Sequence, residues 1–113
     1  MNLKIKHKST DRYELLVLTG NLTISTMSMV TSEFNRITET RPNKYLVLDL
    51  SQISLIDSNG LGSIVREGQK HKNANSTLYI LNPSKYVLKI LRETNMINYL
   101  PIIDKIDQIS PML

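Results

Sequence analysis

The sequence predicts a mixed, mostly parallel α/β domain. Short apolar runs alternate along the chain with amphipathic stretches of helical spacing. The first two runs are separated by four turn-forming residues, which reads as a hairpin. The later runs are separated by helix-length segments, as parallel strands require. The expected order is β-β-α-β-α-β-α-β followed by a C-terminal tail. With 113 residues, the chain has the length of one domain over 1–113. Its core is expected over about 3–103, with 104–113 as a tail or short helix.

Lys4 to Lys8 alternates charge with aliphatics, the period of a half-buried strand. Leu3, Ile5 and His7 lie on one side; Lys4, Lys6 and Lys8 lie on the other. Ser9-Thr10-Asp11-Arg12 is turn chemistry. Tyr13 to Thr19 is a second strand, ended by Gly20-Asn21. Met27, Val30, Phe34 and Ile37 recur at three, four and three residues, one face of a helix. Ser25 or Thr26 is placed to cap it, and Arg41-Pro42-Asn43 to stop it. Tyr45 to Leu50 is a continuous apolar run, read as a central strand covered on both faces. Ser51 to Asp57 reads as a loop anchored by Ile53, Leu55 and Ile56.

Asp57-Ser58-Asn59-Gly60 opens the next helix, with Leu61, Ile64 and Val65 as its apolar stripe. Gly68 continues that face. A glycine there costs roughly 1 kcal/mol against alanine, which points to close packing or an early helix end. Lys70-His71-Lys72 suits the negative end of a helix dipole. Thr77 to Leu81 is a further strand. Asn82-Pro83 reads as an N-cap followed by proline at the first helical position. Val87, Leu88 and Leu91 form the next helix face, which ends near Thr94-Asn95. Leu100 to Ile103 is a last strand, placed at an edge by Pro101.

Composition narrows the chemistry. Sixteen Leu, thirteen Ile and five Val supply a core without staples. The absence of cysteine excludes disulfides, thiolate metal sites and a cysteine nucleophile. No apolar run approaches a membrane span, and Met1 to Lys8 does not read as a secretory signal. A soluble, cytoplasmic protein is expected. The formal charge is +4, mildly basic. Five Tyr, one Phe and no Trp leave few platforms for stacking nucleic-acid bases. Lys4, Lys6, Lys8, Lys70 and Lys72 therefore read as a solvated basic surface, with no direct nucleic-acid partner.

No enzyme constellation is evident, so no enzymatic activity, metal or cofactor is expected. His7 and His71 lie among basic residues and read as surface histidines. Asp49, at the end of an apolar strand, reads as a loop-bonding structural group. One segment stands apart: Leu55-Ile56-Asp57-Ser58-Asn59-Gly60-Leu61-Gly62. An apolar approach delivers three capping-type residues to a helix start. Two readings fit it. One is an N-cap and tight turn. The other is a presented serine, Ser58, at the positive end of a helix dipole, with Gly60 and Gly62 leaving room for a partner.

Asp57-Ser58-Asn59-Gly60-Leu61-Gly62 is similar to the Asp-Ser-(Ser/Thr)-Gly-Leu-Gly motif of STAS domains. Leu46-Val47-Leu48-Asp49-Leu50 resembles the strand that precedes that motif. Leu18-Thr19-Gly20 and the step from Asn82-Pro83 into Val87-Leu88-Lys89-Ile90-Leu91 match as well. The resemblance runs from about Leu3 to Ile103 and is greatest to the bacterial anti-sigma factor antagonists. It implies a phosphorylated serine at Ser58 in a partner-switching pathway of transcription regulation. The unphosphorylated domain would bind an anti-sigma factor that is an ATP-dependent serine kinase, freeing the sigma factor. Phosphorylation would break the complex, and a serine phosphatase would restore it. Asp57 would orient the serine. The partner-binding surface would comprise Asp57, Ser58, Asn59, Gly60, Leu61 and Gly62, with Asn21 and Thr23 in the facing loop. That loop departs from the family's Gly-Glu-Leu-Asp, since Gly20-Asn21-Leu22-Thr23 carries neither acid. The alternative is a constitutive STAS subunit of a transport or lipid-trafficking assembly, without a phospho-switch.

Overall fold

The computed structural model describes residues 2–40 and 45–109. Two strands, β1 (Leu3–Ser9) and β2 (Tyr13–Leu22), form the expected antiparallel hairpin. Helix α1 (Met27–Thr40) leads to β3 (Tyr45–Ile56), and α2 (Ser58–Asn73) leads to β4 (Leu78–Leu81). Helix α3 (Lys85–Glu93) and a 3-10 turn at Met96–Tyr99 lead to β5 (Ile102–Ile103). The five strands stand in the order β1-β2-β3-β4-β5, parallel from β2 onward. Each crossover steps to the next strand in the same direction. Because such crossovers are right-handed, the three helices share one face of the sheet.

That face carries most of the core. Leu16 and Leu18 from β2, Leu46, Leu48 and Leu50 from β3, and Leu78 and Ile80 from β4 point into it. Met27, Val30, Phe34 and Ile37 of α1 close over them, as their spacing predicts. The opposite face is covered only in part. Val47, Tyr79, Leu81 and Ile103 pack there beneath Ile109, with Ile106 alongside. The tail thus supplies the second cover of the central strand, and its short helix is a single 3-10 turn at Ile106–Gln108.

Several elements differ from the sequence reading. The segment read as a loop after Leu50 is strand: β3 continues to Ile56, pairing Gln52, Ile53, Leu55 and Ile56 with Thr19, Gly20, Asn21 and Leu22. The polar residues Ser51, Gln52 and Ser54 hide this in the sequence; Gln52 pairs with Thr19, while at the register shift before it the Ser51 N–H donates to the Asp49 carboxylate. Leu55 is 48% exposed rather than an anchor. Strand β2 likewise runs through Gly20, whose φ of +118° only glycine adopts readily; Asn21 N–H then donates to Asn2 C=O at 2.7 Å. Helix α3 is capped by Ser84, which accepts from Val87 N–H at 3.2 Å, and not by Asn82. Asn82 instead takes a left-handed turn, φ 49°, a conformation asparagine tolerates.

Gly68 marks close packing, not a helix end. A Cβ there would stand 3.1 Å from Leu100 Cδ2, and α2 continues to Asn73. The predicted strand from Leu100 shortens to Ile102–Ile103, at the sheet edge after Pro101 as expected. The stop assigned to Arg41-Pro42-Asn43 lies outside the described residues. His71 is not a surface histidine. It is buried, with Nε2 3.1 Å from the equally buried Glu67 and Nδ1 3.4 Å from Ser76 Oγ. His7 lies at the surface but bonds the buried Glu14 at 2.7 Å and Arg36 at 3.0 Å. Asp49 accepts from the backbone and hydroxyl of Ser51, the local structural bond expected of it.

Candidate functional site

The C-terminal ends of β2 and β3 lie side by side, with Leu22 opposite Ile56. Both strands leave the sheet there, one into the loop before α1 and the other into α2. Ligand and partner sites of open α/β sheets gather at such ends. Asp57 holds the two exits together. Its backbone is extended, its Oδ1 accepts from Gly60 N–H at 2.8 Å, and its Oδ2 accepts from Ile24 N–H at 3.1 Å. Asp57 N–H donates to Leu22 C=O at 3.1 Å. One carboxylate therefore caps α2 and pins the facing loop. The Gly60 amide above all, with that of Ile24, holds its carboxyl below the usual aspartate range.

Gly60 is required by a close approach. A Cβ there would lie 2.3 Å from Leu22 C=O. The N-terminus of α2 is thus seated on the backbone of β2. On the other side, Thr26 is buried, accepts from Thr23 N–H at 3.0 Å and donates to Asn21 C=O at 2.7 Å. Of the two capping residues considered for α1, Thr26 is the one that organises this turn. Thr23 and Ser25 bond each other through their hydroxyls at 3.0 Å.

Within this frame Ser58 is the first residue of α2 and is exposed, as is Asn59. The cap is Asp57, so Ser58 is not needed as one. Leu61 faces the core, Gly60 is buried, and Gly62 is partly covered. The structure brings Asn21, Thr23 and the Asp57–Gly62 run to one end of the sheet. The part open to contact is Ser58 and Asn59.

Of three exposed side chains at this end, Ile24 and Tyr86 were not singled out from the sequence, and Leu55 was read as an anchor. Ile24 is 73% exposed beside Asp57. Leu55 is exposed at the end of β3. Tyr86, partly exposed on α3, accepts from Ile56 N–H through its hydroxyl at 3.1 Å. An apolar residue inside an otherwise polar loop, as Ile24 is between Thr23 and Ser25, was the available signal. Nothing local marks Tyr86, because its partner lies thirty residues away.

A family model for the STAS domain matches residues 4–109. The chain belongs to the STAS-domain family. Its fold matches a protein assigned as an anti-sigma factor antagonist from Thermotoga maritima, with TM-score 0.84 and 24% identity, over 96% of this chain and 92% of that one. It also matches the Bacillus cell fate determinant SpoIIAA in its phosphorylated form, with TM-score 0.71 and 14% identity, over 98% and 99% of the two chains. A more distant match is the murine anion transporter Slc26a9, with TM-score 0.63 and 13% identity, over 76% of this chain and 14% of that one. No curated protein matches the chain by sequence. Among the described residues no helix is long and apolar enough to cross a membrane.

Proposed function

We propose that this chain is an anti-sigma factor antagonist that works by partner switching. Its unphosphorylated form binds an anti-sigma factor serine kinase and frees the sigma factor. Phosphorylation of Ser58 breaks that complex, and a serine phosphatase restores it. The chain itself acts as a binding module, not an enzyme. The observation that carries this reading is an exposed serine on a fixed turn, at the same end of the sheet as the exposed Ile24 and Leu55.

The physical argument is local. Apolar side chains beside Ser58 favour contact with a partner. A phosphoryl group adds about −1.5 to −2 charges at neutral pH and cannot be desolvated against an apolar interface without a large cost. Asp57 and Gly60 hold the turn, so the serine is presented in one place. Asn59, Asn21 and Thr23 would supply polar contacts at the rim, with Leu61 and Gly62 as part of the helix that presents it.

The neutral loop Gly20-Asn21-Leu22-Thr23 favours one other reading, a constitutive docking subunit whose Ser58 is never modified. Affinity capture from the source lysate with wild type, Ser58→Ala and Ser58→Asp separates the two. The switch predicts an ATP-binding kinase on wild type and Ser58→Ala but not on Ser58→Asp. Equal capture of a transport component by all three would replace the switch with the docking subunit.

A further inference from the structure

Helix α2 carries Ser58, Gly62 and Arg66 at successive four-residue steps, so the three lie along one face. Side chains on a helix lean toward its N-terminus. Arg66 does so here: its Nη1 lies 3.3 Å from the point a Cβ on Gly62 would occupy. Its Nη2 donates to Ser63 Oγ at 3.0 Å. The guanidinium is therefore folded over Gly62, one turn short of Ser58. Among the described residues no carboxylate is ion-paired with it.

We infer that Arg66 is a built-in counter-ion for a phosphoryl group on Ser58, reaching it across Gly62. The inference rests on Ser58 being the modified residue and adds a means of holding the product. Cβ atoms four residues apart on a helix are about 5–6 Å from each other. One guanidinium nitrogen already lies 3.3 Å from where a Cβ of the intervening residue would stand, so a phosphate projecting from Ser58 and the guanidinium have about one turn between them to close. A serine hydroxyl offers a guanidinium little. A phosphate dianion offers charge-assisted, bidentate hydrogen bonds. Glycine at position 62 keeps the path free, since a branched side chain would stand between the two groups. Phosphorylation would then draw Arg66 along the helix as well as adding charge, and a partner would meet a changed face in both respects.

The test places phosphoserine at position 58 during translation of the full chain, so that no kinase is needed. Phosphorus NMR then follows the second ionisation of the phosphate, ordinarily near pH 6, in proteins with Arg66, Arg66→Lys and Arg66→Gln. The expected result is a midpoint lower by about half a unit with Arg66 than with Arg66→Gln, the size of a modest ion pair. Arg66→Lys should fall between, and molar salt should close most of the gap. Gly62→Val should move the midpoint toward that of Arg66→Gln. Identical midpoints with Arg66 and Arg66→Gln would overturn the pairing, whatever a kinase does to Ser58. Failure of any kinase to modify Ser58 would instead remove the switch and leave the titration result standing.

Discussion

The Asp57 carboxylate accepts the backbone amide of Ile24 at 3.1 Å while its other oxygen caps α2. One side chain thus fixes the relative position of a helix start and a loop that are 33 residues apart in sequence. Ser58 and the exposed Ile24 owe their proximity to that bond. Asp57 fixes where Ser58 stands, and the Ser58 side chain is exposed.

The first prediction separates the two residues. Ser58→Ala should change stability by less than about 0.5 kcal/mol, as for an exposed residue without a structural bond. Asp57→Ala should lower the urea midpoint clearly, because the Gly60 and Ile24 amides both lose their acceptor. Urea unfolding of the two variants beside wild type checks the contrast.

Gly60 and Gly62 should respond oppositely to alanine. Gly60→Ala drives a methyl into the Leu22 carbonyl and should cost about 3 kcal/mol. Gly62→Ala meets only the flexible tip of Arg66. It should be neutral or stabilising by up to about 1 kcal/mol, because alanine is the better helix former. Thermal unfolding of both variants measures the signs.

Acid should release the site. Asp57 is held below its ordinary range by the Gly60 and Ile24 amides. Its contribution is therefore present in full above the unfolded-state value of about 3.9. It is lost as pH falls through the lower folded value. The stability difference between wild type and Asp57→Asn should be constant from neutral pH down to about pH 5, then shrink on further acidification. Urea melts across that range follow it.

The buried pair at the far end of α2 is a separate structural unit. Burial alone would raise the Glu67 carboxyl, but His71 and Lys70 outweigh it and the net shift is downward. His71→Ala leaves the buried Glu67 with Lys70 alone, 3.4 Å away, and should cost about 2 kcal/mol. The double variant with Glu67→Ala should cost less than the sum of the singles. A double-mutant cycle by urea unfolding is the check, and partner binding at Ser58 should be unaffected.

Much of this architecture was legible because it is periodic. The three-four-three spacing of Met27, Val30, Phe34 and Ile37 marks the buried face of α1 without ambiguity, and Asp57 through Gly62 announces a helix start. The second half of β3 was not legible. Its order depends on pairing with β2, and Ser51, Gln52 and Ser54 break the apolar run that would betray it. His71 was misjudged from its lysine neighbours. The informative spacing was the one from Glu67 to His71, four residues, which puts both on one inward face. Asn75, Asn82 and Asn95 all adopt left-handed backbone, so part of the asparagine content serves turns that the sequence marks only faintly. At the candidate site the motif points to Ser58, but the exposure of Ile24, Leu55 and Tyr86 at that end depends on three elements meeting there.

In the proposed switch, one phosphate on Ser58 decides binding. The most direct measurement is titration calorimetry of the captured anti-sigma factor kinase against this protein with serine or phosphoserine at position 58. The switch predicts that phosphorylation weakens binding at least tenfold, about 1.4 kcal/mol, with the fold unchanged by circular dichroism. Equal affinity of the two forms would contradict it and leave Ser58 as an exposed residue beside a permanent docking surface.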